Sequence, residues 1–216
     1  MKLELNTHTS EVSSCSRVNA AGVVSHCVAL GYDGMVVTDH FGGERGSWAR
    51  RIDRFLRGYH AAMAAAPAGF TVILGMELRF VHENSNDYLV YGFDEDFLCK
   101  HKDFDQLGLR KFGEFARRHG LLVCQAHPFR FGMTVVRPQY LDAIEVYNGH
   151  AGHPSHNEIA EAWCERHGLL PLSGSDYHGS DSEGAPPGGI VLHQPVADGA
   201  QLVRAIRAGE YELMRD

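Results

Sequence analysis

Long apolar runs are missing from this sequence. No segment approaches the ~20 consecutive apolar residues that span a bilayer, and the opening MKLELNTHTS has no apolar stretch behind a basic one. A cytoplasmic chain without membrane contact is the expectation. Positive charge is scarce too: 20 Lys and Arg stand against 27 Asp and Glu, a formal net charge of −7. A phosphate backbone attracts proteins through Lys and Arg, so strong nucleic-acid binding is not expected. A small anionic substrate would need local positive charge, such as bound metal. The five cysteines (Cys15, Cys27, Cys99, Cys124, Cys164) are odd in number, widely spaced and without a CxxC pair, which argues against a disulfide framework or a zinc knuckle. Cys27, Cys124 and Cys164 lie on apolar faces and are expected in the core. GxGxxG after a strand, GxxxxGK[ST] and GxSxG are all absent, so nucleotide-loop and serine-nucleophile chemistry have no support. No linker, repeat or low-complexity block interrupts residues 1–216, which read as a single domain.

Short β-branched or apolar runs alternate with amphipathic helical patterns, the signature of βα units around a parallel sheet. The runs begin near Leu3, Met35, Thr71, Leu121, Ala143, Leu169 and Ile190. Asn19 is placed to cap a helix with Val23, Val24, Cys27 and Leu30 on one face, ending at Gly31. A second stripe joins Ile52, Phe55, Leu56, Tyr59 and Met63. Phe112, Phe115 and Ala116 mark a third helix, Ile159 and Trp163 a fourth, and Leu202, Ala205 and Ile206 a fifth. After a loop at HENSN (82–86), DYLVYGF alternates and reads as an added strand. A closed or nearly closed α/β barrel is the natural solution, with a doubly wound open sheet second.

At the C-terminal ends of these runs stand Asn6 and His8, Asp39 and His40, Glu77, His127, Glu145, then Asp176 and His178. Strand C-termini are where α/β folds build their sites. Residues two apart on a strand face the same way, so Asn6 with His8, and Asp176 with His178, can share a centre. Imidazole with carboxylate suits zinc, manganese or iron, and Glu77 can bridge two ions. Arg130, in AHPFRFG, and Arg79, just past Glu77, are the candidates for gripping a phosphate, because a guanidinium pairs bidentately with its oxygens. His150, His153 and His156 read as a cleft wall.

In their order along the chain, NTHTSEVSSC, TDH (38–40), GME (75–77), AHP (126–128), EVYN (145–148) and GSDYH (174–178) resemble the PHP (polymerase and histidinol phosphatase) family of metal-dependent phosphoesterases over nearly the whole length. The resemblance implies a distorted (β/α)7 TIM-like barrel with two or three divalent ions (Zn, Mn or Fe) at its mouth. His8, Glu77 and Asp176 would share one ion, Glu77 and His127 a second, His40 and His178 a third. The implied activity is hydrolysis of a phosphate mono- or diester by metal-activated water, with Glu77, His40 and His178 catalytic and a small phosphorylated molecule as substrate.

The chain departs from the family pattern at three places. Asn6 stands where the opening motif usually has histidine. No aspartate follows that motif; Glu11 is the expected substitute, with Ser14 and Cys15 nearby. No histidine follows Glu77 on the next strand, where Asn86 and Asp87 are the candidates. Asn6 motivates the alternative of a degenerate member that binds metal or a phosphorylated ligand without turnover. An amidohydrolase-like barrel is a further reading, against which TDH and GSDYH weigh.

Overall fold

The computed structural model describes residues 1–83, 85–179 and 187–215; Asn84, within the expected HENSN loop, lies outside them. Two sheets and six helices are present among the described residues. The first sheet contains β1 (Lys2–Thr7), β2 (Gly34–Val37), β4 (Thr71–Leu74), β10 (Gly189–Leu192) and β11 (Tyr211–Met214), in the order β11-β10-β1-β2-β4. The second contains β3 (His40–Phe41), β5 (Met76–Leu78), β6 (Tyr88–Tyr91), β7 (Leu122–Gln125), β8 (Ala143–Asn148) and β9 (Leu170–Gly174), in the order β3-β5-β6-β7-β8-β9.

The expected βα runs are therefore strands, but hydrogen bonding does not close them into one barrel among the described residues. Two of the runs bend. After Val37 the chain turns through Thr38 and Asp39 into β3, and Gly75 separates β4 from β5, so both polypeptides leave one sheet and enter the other. Gly75 is required at this crossing because a Cβ there would lie 2.6 Å from Val36 Cγ1. On the opposite side a single parallel bridge, Thr7 to Tyr177, links β1 to the segment after β9. β6 is antiparallel to both neighbours, and β10 and β11 run antiparallel beside β1, which departs from a purely parallel βα series.

The helices are α1 (Ala20–Ala29), α2 (Trp48–Ala65), α3 (Glu95–Lys100), α4 (Gly108–Arg118), α5 (Asn157–His167) and α6 (Gly199–Ala208). Asn19 caps α1 as expected, its side chain accepting from Gly22 N–H at 2.9 Å. Leu30 follows the helix and is exposed, as are Met63 near the end of α2 and Ile159 on α5, where Ala160 and Cys164 are buried instead. Phe41, Trp48, Phe55, Phe104 and Phe112 form an aromatic core between α2, α4 and the second sheet. Leu3, Ile73, Leu122, Leu172 and Ile206 form another beside β1. Each such side chain contributes about 1.5–3 kcal/mol by leaving water, enough to hold the strand ends rigidly in place. No described helix is long and apolar enough to cross a membrane.

Candidate metal centre

His8 follows β1 directly and is completely buried. Its Nε2 lies 3.1 Å from Glu77 Oε2 and 3.3 Å from Asp176 Oδ1. Its Nδ1 faces Ser13 Oγ at 3.3 Å. That hydroxyl donates to Asp39 Oδ1 at 2.6 Å and accepts from His40 N–H at 3.1 Å. With its proton given to Asp39, Ser13 can only accept from His8, so Nδ1 carries the imidazole proton and Nε2 turns a lone pair toward two carboxylates. Such an arrangement is repulsive without a cation between the groups. Consistently, His8 Nε2 and Glu77 Oε2 are buried and meet no partner in hydrogen-bonding geometry despite their closeness, as does His127 Nδ1. Converging lone pairs that do not bond one another are what a divalent ion requires, so the residues fit a metal.

Glu77, in β5, is the hub. Its Oε2 also meets His40 Nδ1 at 3.0 Å, and its Oε1 meets His127 Nε2 at 3.1 Å. Burial would raise its pKa, yet the charge of His40, the His127 hydrogen bond and the closeness of the His40 and His8 imidazoles hold it well below the usual carboxylate range. Asp176 is likewise held low, against burial, by the His8 imidazole facing its carboxylate and by the charges of Arg130 and His127. The ligand-type atoms of His8, Glu77 and Asp176 lie within 4.8 Å of one another, as do those of His8, His40 and His178, those of His40, Glu77 and Asp87, and those of His150, Asp176 and His178. Clusters able to hold metal are thus present where the strands end.

Two of these residues carry strained backbone. His127 has φ +26° and Asp176 φ +54°, regions that non-glycine residues enter at a cost of about 1–3 kcal/mol. Glu145, buried within β8, accepts from His127 N–H at 2.8 Å and from Asn148 Nδ2 at 2.9 Å, which holds the strained turn. Burial is the main cause that lifts the Glu145 pKa, to about 7. Glu145 is thus a support for the centre, and it stands inside β8 rather than at the strand end where the sequence pattern put it among the ligand types.

Asn6 and Glu11, both expected among the ligands, are engaged elsewhere. The Asn6 amide oxygen accepts from Thr38 Oγ1 at 2.9 Å and its NH2 donates to Glu145 Oε1 at 3.1 Å, so both ends are committed. Both Glu11 oxygens accept from Ala20 N–H, at 3.0 and 3.1 Å, where the carboxylate complements the α1 N-terminus. Cys15 stands beside the centre instead, its Sγ 3.2 Å from His178 Nε2. Asp87 belongs to the ligand-type cluster with His40 and Glu77, and also accepts two hydrogen bonds from Arg79, at 2.8 and 2.7 Å. Arg130 donates to Asp176 Oδ2 at 2.6 Å and to Asn148 Oδ1 at 3.0 Å. Both arginines line the cleft over the centre, as do His150 and His153.

Sequence reasoning placed Asp39 at a strand end without a role. It is the anchor beneath the centre, accepting from Thr9 N–H and Ser13 Oγ on one oxygen and from Thr9 Oγ1 on the other. Gly58 of α2 packs directly on it: a Cβ there would lie 2.1 Å from Asp39 Oδ2 and 2.2 Å from Thr9 Oγ1. Gly58→Ala is therefore expected to cost about 1–3 kcal/mol of stability by overpacking. By releasing the Asp39–Ser13–His8 chain it should also weaken metal affinity about 10–100-fold. Urea midpoints and metal titration measure the two effects; a variant with unchanged metal affinity would show that the chain does not orient His8.

No family model matches the chain, and neither does any curated protein. Among solved structures, the chain is similar to a two-domain protein from Bacteroides vulgatus containing a predicted PHP-like metal-dependent phosphoesterase. The TM-score is 0.67 at 17% identity, covering 100% of this chain and 64% of that one. It is similar to PsfC from Pseudomonas syringae (TM-score 0.66, 19% identity, covering 92% and 85%). It is also similar to the lesion-specific endonuclease PfuEndoQ from Pyrococcus furiosus (TM-score 0.62, 14% identity, covering 99% and 57%). The chain thus spans less than two thirds of the length of the first and the last. Fold and site together define an α/β protein with a buried histidine–carboxylate centre suited to divalent metal. More particularly, the fold is the one shared with the PHP-like phosphoesterase structure.

Proposed function

We propose that the chain is a PHP-type metal-dependent phosphoesterase that hydrolyses a phosphate mono- or diester. The observation that carries this reading is the His8 Nε2 lone pair set between Glu77 and Asp176, with the proton fixed on the opposite nitrogen by Ser13. His8, Glu77, His127, Asp176, His40 and His178 would hold two or three divalent ions of the Zn, Mn or Fe kind. Such ions supply an activated water nucleophile and neutralise phosphoryl oxygens.

The chain's own residues do the remaining work. Glu77 anchors the ions from below, reached by three imidazoles. Arg130 lines the cleft while its Nη2 holds Asp176 and Asn148, so it can fix a ligand carboxylate and offer the rest of its guanidinium to a phosphate. Arg79 holds Asp87 in the same way from the other wall. His40 and His178 were expected to protonate the leaving oxygen as well as to bind metal. Nδ1 of each is already used, toward Glu77 and toward the Asp176 carbonyl, leaving Nε2 alone. One nitrogen cannot coordinate and donate at once, and we assign both residues to the metal.

The test is elemental analysis of purified protein, then phosphate release from mononucleotides, sugar phosphates and diesters after stripping and reloading with zinc, manganese or iron. Metal-dependent release from any of them is expected. Bound metal with silence across the panel would favour a binding protein without turnover, a reading whose motive is Asn6, fully committed to Thr38 and Glu145. Arg130→Ala is expected to raise KM about 10–100-fold at saturating metal, the worth of one or two charge-assisted hydrogen bonds, with metal affinity weakened as well because Asp176 loses its guanidinium partner. An unchanged KM would remove Arg130 from substrate binding.

A further inference from the structure

The segment from Ser13 to Arg17 is pinned to the metal centre on several sides. Ser13 N–H donates to the Thr9 carbonyl at 2.8 Å, Ser16 Oγ to the His8 carbonyl at 3.0 Å, and Arg17 N–H to the His178 carbonyl at 2.9 Å. Between these ties stands Cys15, its Sγ 3.2 Å from His178 Nε2. His178 Nδ1 is 2.8 Å from the Asp176 carbonyl oxygen, which can only accept. The proton therefore sits on Nδ1, and Nε2 presents a lone pair to the sulfur. His40 lines the same cleft against the same thiol. The His8 ring packs on both, with centroids 4.5 Å from His40 and 4.2 Å from His178, and ligand nitrogens of all three lie within 4.8 Å. His8 Nε2 itself is turned toward Glu77 and Asp176, so the ion it would serve lies next to this cluster rather than within it.

We infer that Cys15 completes a cysteine–histidine–histidine site with His40 and His178, so that the outermost ion of the centre is held by a thiolate and is a thiophilic cation of the zinc class. This rests on the metal-centre reading above. Binding transfers the thiol proton to solvent and leaves sulfur as an anionic donor. Sulfur with two imidazoles suits zinc, cobalt or cadmium and disfavours manganese and magnesium, which prefer oxygen. Glu11, the substitute expected from the sequence, is withdrawn to α1, and the thiol occupies the approach to His178 that an oxygen ligand would otherwise take. Of the remaining cysteines, Cys27, Cys124 and Cys164 are buried and Cys99 lies on α3, so the assignment concerns Cys15 alone.

The experiment uses the full chain carrying Cys99→Ser, stripped with chelator and reloaded with cobalt(II). A near-ultraviolet thiolate-to-cobalt charge-transfer band is expected beside the visible d–d bands. Adding Cys15→Ser should abolish that band and remove one equivalent of cobalt per chain while the other d–d absorption persists. Without the second substitution, zinc should slow alkylation of Cys15 by iodoacetamide at least about 10-fold, since the free thiolate is the nucleophile. Equal cobalt content with no charge-transfer band in either protein, or alkylation indifferent to zinc, would overturn the thiolate site while leaving the centre intact. Failure of the stripped chain to bind cobalt at all would overturn both.

Discussion

Glu77→Gln is expected to empty the centre and lower hydrolysis by at least about 10³-fold, roughly 4 kcal/mol of barrier. Among the described residues, Glu77 is the one carboxylate that His8, His40 and His127 all meet, through both of its oxygens. An amide keeps the shape but removes the charge and turns an N–H2 toward imidazoles that need an acceptor or a shared cation. The volume hardly changes, so the effect is electrostatic. Three imidazoles would lose the one anion they share, and Glu77 itself is buried, where an uncompensated change of charge is costly. Metal content should fall by more than one equivalent, because Glu77 takes part in two of the four ligand clusters. Elemental analysis and turnover, read together with a denaturation curve, check the point. A Gln variant with full metal content and near-normal turnover would show that the convergence on Glu77 is incidental.

The cluster of ligand-type residues was legible in the sequence because its members lie near strand termini, and chain topology alone brings strand termini to one side. His8, His40, Glu77, His127, Asp176 and His178 meet there. Strand periodicity supplied the wrong reason for one pair: β9 ends at Gly174, and Asp176 and His178 are joined by a left-handed turn rather than by a strand face. What stayed hidden depends on distant partners. The commitment of Asn6 requires Thr38, in the bend after β2, and Glu145, in β8. Glu11 looked like a ligand because only three dimensions show it at the N-terminus of α1. The pairings of Arg79 and Arg130 with Asp87 and Asp176 join segments that sequence spacing does not relate. β3 is two residues long and β11 half-exposed, too little pattern for periodicity to register, and the bends at Thr38–Asp39 and Gly75 turned an expected barrel into two sheets.

Stability against pH should change sign with metal, and His8 is the reason. Burial pulls its imidazole down and His40 repels its charged form, but the carboxylates of Asp176 and Glu77, at 3.3 and 3.1 Å from Nε2, outweigh both and raise its pKa from 6.5 to about 9. In metal-free protein a proton on Nε2 is the cation between the two carboxylates. A folded value above the unfolded one means that this stabilisation is complete below about pH 6.5 and is lost as pH rises through 9, an amount of about 3 kcal/mol at 1.36 kcal/mol per unit. His40 and His127 are raised too and act in the same direction. Glu77 and Asp176, held low, contribute above the usual carboxylate range and lose that contribution as pH falls through their folded values, so the metal-free chain should also weaken in acid. With zinc bound, the ion replaces the proton and competition ends: raising pH from 6.5 to 9 deprotonates the ligands and tightens binding, so the loaded protein should hold or gain stability where the stripped protein loses it. Urea midpoints of chelated and zinc-loaded protein at pH 6.5 and 9.5 decide the matter. Parallel profiles for the two forms would mean that no proton and metal compete for the position between His8, Glu77 and Asp176.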